Sequence, residues 1–222
     1  MAAREAFDID KAIQLLQKAV EKLPKAALFD LYDQGYTSLF EQLIACMISI
    51  RTYDEVTVPT AIRLFEQART AADMARLSVE EIDSAIRDCT FHEGKARQVL
   101  AISHTIVEDY RGEVPCDFDT LLSFKGVGPK CANLALGIAC RQMRIGVDIH
   151  VHRVTNRWGY VQAKTPEKTM QALERKLPEQ YHVEINRLLV PFGKHICTGT
   201  SPHCSTCPLQ PMCEQSGIER HR

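Results

Sequence analysis

From Ile9 to Tyr110 the apolar residues recur with the period of an α-helix, and nowhere does a period-2 run long enough for a sheet replace it. Ile9, Ala12, Ile13, Leu15, Leu16, Ala19, Val20 and Leu23 form one stripe that Pro24 closes. From Ser38 the run Leu39, Phe40, Leu43, Ile44, Ala45, Cys46, Met47, Ile48 is apolar nearly all round, which predicts a helix buried on most sides at the centre of a core. Further helices are expected over 56–68, broken or begun near Pro59, then over 70–77, 78–89 and 94–110, with Gly112 and Pro115 ending the series. Ser78 and Glu81 have the spacing of a capping box. The expected fold class is all-α.

At 222 residues and 45% hydrophobic side chains the chain can bury one large or two small cores. No apolar run nears the roughly 20 residues that span a bilayer, and no signal-like stretch opens the chain. A protein working in the cytoplasm, without a membrane partner and as a monomer, is expected. The net charge of −1 hides an asymmetry. Residues 1–120 hold 13 Lys and Arg against 21 Asp and Glu, whereas residues 121–222 hold 14 against 7. A positive C-terminal half suits a polyanionic partner; two solvated faces of opposite sign would give the same count.

Nine cysteines divide into two groups. Cys46, Cys89, Cys116, Cys131 and Cys140 are scattered through helical segments, the pattern expected of free thiols in a reducing compartment. Cys197, Cys204, Cys207 and Cys213 crowd into 17 residues, too few for a hydrophobic fold of their own, so a metal is expected to organise that loop. Four-cysteine zinc sites usually show two paired knuckles, and one C-x2-C is present here; an iron-sulfur cluster accepts more varied spacing. The residues alone leave both open.

Around residues 117–140 two helices meet across Phe124-Lys125-Gly126-Val127-Gly128-Pro129. The glycines permit backbone conformations that a Cβ hinders, Val127 can tuck beneath the turn, and Pro129 suits a first helical position. Backbone NH groups at such a helix start can grip a phosphate; the same turn can equally serve packing alone. Lys130 stands in that first turn, where the helix dipole favours the neutral amine, a nucleophile toward a sugar C1′. Eighteen residues later Asp148 precedes a helical segment and reads as its N-cap, and an N-cap carboxylate can also stabilise positive charge on a reacting sugar.

Taken together, Gly126-Val127-Gly128-Pro129-Lys130, the Ala-rich helix after it, Val147-Asp148-Ile149-His150 and Arg153-Val154-Thr155-Asn156-Arg157 resemble the endonuclease III branch of the helix-hairpin-helix/GPD superfamily, from about Phe40 to Cys213. The resemblance implies a two-domain helix-hairpin-helix glycosylase fold. A central six-helix domain would span 32–145, and a cluster-bearing helical domain 1–31 with 146–222. It implies a base-excision DNA glycosylase with AP-lyase activity on damaged bases, oxidised pyrimidines foremost, in double-stranded DNA. Lys130 would be the nucleophile, Asp148 the second catalytic residue, and Cys197, Cys204, Cys207 and Cys213 the ligands of a [4Fe-4S] cluster. Expected DNA contacts are Gly126, Val127 and Gly128 in the hairpin, His150 and Arg153, and the basic Arg187 and Lys194 by the cluster loop. Arg51 stands where the family commonly has a glutamine that enters the duplex, and Phe91 where an apolar wedge helps open the stack. Lys125 and Ile149 replace a usual proline and threonine. Two other readings fit the same residues: a monofunctional glycosylase for mismatched adenine or alkylated purine, and a non-catalytic sensor of abasic or distorted DNA.

Overall fold

The computed structural model describes residues 5–222, and among them there is no strand. Twelve α-helices follow in order: α1 Ile9–Val20, α2 Ala27–Asp33, α3 Leu39–Ser49, α4 Asp54–Phe65, α5 Ala71–Met74, α6 Val79–Ile86, α7 His92–Tyr110, α8 Phe118–Ser123, α9 Pro129–Ala139, α10 Ile149–Arg157, α11 Pro166–Lys176 and α12 Glu184–His195. They form two compact units, one running from Ala27 to Arg144 and the other joining the chain up to Ala26 with Ile145–Arg222.

In the unit of residues 27–144 six helices have seven residues or more, with α5 and α8 as shorter pieces. Its axis is α3, where every residue from Leu39 to Ile48 is buried. A capping box starts it: Ser38 Oγ accepts from the Glu41 NH (3.2 Å) and Glu41 Oε2 accepts from the Ser38 NH (3.0 Å). Glu41 is itself buried, and its other oxygen accepts from Arg69 Nε at 2.7 Å, so the carboxylate is paired. The predicted Ser78–Glu81 box is present at the start of α6.

Two expectations need correction here. Helix α4 begins at Asp54 and runs through Pro59, which neither starts nor breaks it. Pro59 and Glu55, whose carbonyl loses its helical donor, are both exposed, so water can serve that oxygen. Thr57, Thr60, Ala61, Leu64 and Phe65 hold the other face in the core. Secondly, not all the scattered cysteines are free thiols: Cys116 and Cys140 form a disulfide with Cα atoms 6.1 Å apart. An antiparallel hairpin brings its two ends together, and these cysteines sit just before α8 and just after α9.

The other unit packs α1 and α10 against α12 around Ile13, Leu16, Val151, Trp158, Leu189 and Phe192. Close approach of α10 to α12 depends on Gly193. A Cβ there would lie 2.7 Å from His150 Nδ1 and 2.9 Å from His150 Cβ, closer than packed atoms tolerate. Gly193→Ala should therefore cost about 1–3 kcal/mol, read as a lowered melting temperature. Gly199→Ala, where a Cβ meets nothing within 4 Å, should leave the melt unchanged.

Candidate functional site

The hairpin is built as its sequence implies, with one refinement. Asp117 caps α8 by accepting from the Thr120 NH at 2.8 Å, and Pro129 occupies the first turn of α9. Only Gly126 uses a left-handed backbone (φ +94°), which a side chain rarely adopts. Gly128 has an ordinary φ of −102°, so its value is openness: a Cβ there would meet nothing within 4 Å. Val127 is 7% exposed and its NH donates to the Phe124 carbonyl, so it holds the turn from beneath. Lys125 is exposed, and Lys130 is half-buried at the second position of α9. The next residue, Cys131, lies about 100° round the helix, buried, with its Sγ 2.6 Å from Cys46 Sγ of α3.

Asp148 is the N-cap of α10: Oδ1 accepts from the NH groups of His150 (2.9 Å) and Val151 (2.8 Å). Both bonds fall on one oxygen, which leaves Oδ2 outside the cap. Ile149 is 66% exposed. His150 and Arg153 lie on the inner side of the same helix. Arg153 Nη2 is 3.1 Å from His150 Nδ1 and donates to the carbonyls of Gly193 (2.8 Å) and Cys197 (3.2 Å). The Arg153 guanidinium thus ties α10 to the end of α12. Arg187 is exposed and pairs with Glu184 at 3.8 Å, and Lys194 is half-buried in the last turn of α12.

The four clustered cysteines all line one small cavity, together with Trp158, Phe192, Ile196 and Ile218 among others. Arg157, buried, holds the loop from one side: Nη1 donates to Thr198 O (2.6 Å) and Nη2 to Gly199 O (2.7 Å), and Nη1 lies 3.5 Å from Cys197 Sγ. From the other side the Gln215 NH donates to Cys213 Sγ at 3.4 Å. Burial pushes the Cys207 thiol up to about 11, reinforced by the neighbouring Cys197, Cys213 and Cys204. Among the described residues no three His, Cys, Asp or Glu side chains converge as the ligands of a single ion would. The four thiols share this mainly apolar cavity, and thiolates suit either an iron-sulfur cluster or zinc.

A fourth feature joins two loops of the unit of residues 27–144. Arg51 and Phe91 both have left-handed backbones, φ 56° and 59°. The Arg51 guanidinium lies over the Phe91 ring, 5.7 Å from its centroid. Phe91 is 62% exposed, so it is not the core aromatic that its apolar character alone allowed. Thr90 Oγ1 donates to Arg51 O at 2.7 Å and stitches the loops together. Sequence reasoning overlooked Lys95, buried beside these loops, because a lysine after Gly94 reads as an ordinary residue of a helical first turn. It also overlooked Tyr53, 80% exposed at the start of α4, which no local pattern separates from a packing aromatic.

Comparison with known proteins identifies the family and the fold. The model of the HhH-GPD superfamily base excision DNA repair protein matches residues 44–179. The chain is 36% identical to endonuclease III of Thermotoga maritima, covering 90% of this chain and 91% of that one. It is 29% identical to endonuclease III of Escherichia coli K12, covering 92% and 95%. Among solved structures it is similar to a trapped endonuclease III-DNA covalent intermediate, with a TM-score of 0.81 and 28% identity over 93% of this chain and 94% of that chain. A thermostable thymine-DNA glycosylase shares the fold at a TM-score of 0.73 and 19% identity. With half its length matched by one family model and endonuclease III relatives alike almost end to end, the chain belongs to the endonuclease III family of the HhH-GPD superfamily.

Proposed function

We propose that this protein is a base-excision repair DNA glycosylase with AP-lyase activity, acting on damaged bases, oxidised pyrimidines foremost, in double-stranded DNA. The observation that carries the reading is Lys130 in the first turn of α9, directly behind the glycine turn. Its weight comes from the likeness to an endonuclease III captured as a covalent DNA intermediate.

In this reading the backbone of the Gly126–Gly128 turn holds a phosphate and fixes the strand without reading its sequence. The damaged nucleotide leaves the stack at a cost of a few kcal/mol, least for a lesion that already pairs badly. Phe91 and Arg51 enter the space it vacates. The Lys130 amine attacks C1′, the glycosidic bond breaks and the base departs with its bonding electrons. Asp148, through the oxygen outside its cap, assists removal of the lysine proton and stabilises the positive charge on the sugar. The C1′–O4′ bond then breaks, O4′ takes a proton and the opened sugar becomes a Schiff base. This acidifies the C2′ hydrogen, and loss of that proton breaks the C3′–O bond and expels the 3′ phosphate, so the strand is cut 3′ to the lesion.

Cys197, Cys204, Cys207 and Cys213 would hold a [4Fe-4S] cluster, which supplies structural anchorage for the loop. His150, Arg153 and Arg157 sit between that loop and the start of α10, so loop geometry is transmitted to Asp148; Arg187 and Lys194 would meet the DNA backbone.

Sodium borohydride should trap a covalent adduct between wild-type protein and duplexes carrying either thymine glycol or a preformed abasic site, and Lys130→Ala should abolish both. An adduct on the abasic site alone would mean a lyase with another base preference. With no adduct on either duplex, the nucleophile assignment falls and the non-catalytic sensor gains ground.

Asn caps helices nearly as well as Asp, so Asp148→Asn should shift stability by no more than about 0.5 kcal/mol. The same substitution should slow base release by about 10²–10⁴-fold in single-turnover assays. A melt that falls as steeply as the rate would reduce Asp148 to a cap.

Protein purified without oxygen should contain iron and acid-labile sulfide at about four of each per chain, with visible absorbance that Cys207→Ser weakens or removes. One equivalent of zinc and no sulfide would replace the cluster with a mononuclear site.

A further inference from the structure

Lys95 is a buried cation, 5% exposed, that the chemistry above does not use. Its Nζ donates to the carbonyls of Ile48 (2.7 Å) and Ile50 (2.8 Å) and to Thr52 Oγ1 (3.3 Å). Three acceptors match the three hydrogens of an ammonium, which is what makes a buried charge tolerable there. Ile48 lies in the last turn of α3 and Ile50 is its C-cap, at the negative end of the helix dipole. The carbonyls of Cys46, Met47 and Ser49 accept from Ser49 Oγ, the Ile50 NH and the Thr52 NH, and that of Ile48 accepts from Lys95. Lys95 therefore caps α3 from a different helix. At the same time its backbone NH donates to the Phe91 carbonyl at 3.1 Å. One residue is bonded to both loops: by its side chain to the loop that carries Arg51, by its backbone to the one that carries Phe91.

The link continues outward. Thr52 Oγ1 also accepts from the Thr90 NH at 3.2 Å, and Thr90 Oγ1 donates to the Arg51 carbonyl. Left-handed conformations at Arg51 and Phe91 cost each residue about 1–2 kcal/mol and persist only where the surroundings impose them. Thr52 Oγ1, shared by Lys95 and Thr90, is where the bonds between the two loops meet the Lys95 ammonium.

We infer that Lys95 is a positioning residue for strand opening: its ammonium locks the end of α3 to the Phe91 loop and thereby presents Arg51 and Phe91 as one rigid tip to the duplex. This rests on the reading of Arg51 and Phe91 as the pair that enters the stack. An arginine would bring a planar fork with five donors to a pocket of three acceptors, so the three rotatable donors of lysine suit the place.

The test compares strand cleavage at an abasic site in two substrates, an intact duplex and a duplex lacking the nucleotide opposite the site, where no stack has to be opened. Lys95→Met should lower kcat/KM on the intact duplex by roughly tenfold or more and on the gapped duplex by no more than about twofold, and should flatten the dependence on the opposite base. Thr52→Val, which removes the acceptor shared by Lys95 and Thr90, should show the same split more weakly, and it carries the comparison alone if Lys95→Met does not fold. Equal losses on both substrates, or none on either, would overturn the inference. Phe91→Ala is run beside them. If it leaves the intact duplex unaffected, the reading of the tip falls and the inference with it; if it lowers that rate while the Lys95 and Thr52 variants do not, the inference alone falls.

Discussion

A helix buried on every side must have both ends satisfied by protein, because water cannot reach them, and α3 meets that demand at each end in a different way. Its start is closed by neighbours in sequence, Ser38 and Glu41, with Arg69 neutralising the buried carboxylate. At its end the carbonyls of Ile48 and of the Ile50 cap accept from Lys95 of α7, 45 residues beyond Ile50. The local solution makes α3 a fixed axis on which α4, α7 and α9 pack. The distant solution ties the exit of α3 to a second loop, and the exposed pair Arg51 and Phe91 stands on that tie. Rigidity in the core thus becomes rigidity at the surface, which is what the proposed role of Arg51 and Phe91 in unstacking a duplex requires.

The hairpin uses the same axis. Helix α9 lays its apolar face on α3 through Cys131, Ala132, Ala135 and neighbours, and this leaves Lys130 on the flank at a set height above the core. The glycine turn before it is held from below by Val127; its backbone is open at Gly128, while the Gln98 side chain lies against Gly126. The Cys116–Cys140 disulfide encloses α8, the turn and α9 in one covalent loop. Lys130 and the glycine turn therefore belong to a single closed element.

In the other unit one helix serves two purposes. The first residue before α10 is Asp148, while Arg153 and Arg157 on its later turns gather the carbonyls of Cys197, Thr198 and Gly199. An unsatisfied loop of carbonyls is expensive, and α10 satisfies these carbonyls. Gly193 lets α12 come near enough for this, since any side chain there would press on His150.

The sequence by itself determined every feature that depends on near neighbours: helical period, the Ser78 capping box, the Asp148 cap, the glycine turn with Pro129 and Lys130, and the close spacing of four thiols. These are interactions across a few residues, so their pattern is written in order along the chain. Likeness of motif then led from those residues to the family. Only the tertiary structure decided what depends on residues far apart: that α4 carries Pro59 on a solvent face, that Cys116 meets Cys140, that Arg153 turns inward to Cys197, that Phe91 is exposed, and that Lys95 caps α3. A lysine in a helical first turn looks the same whether it points to water or to the carbonyls of another helix, and only packing selects between them, because the cost of burying its charge is met by acceptors that the local sequence does not contain.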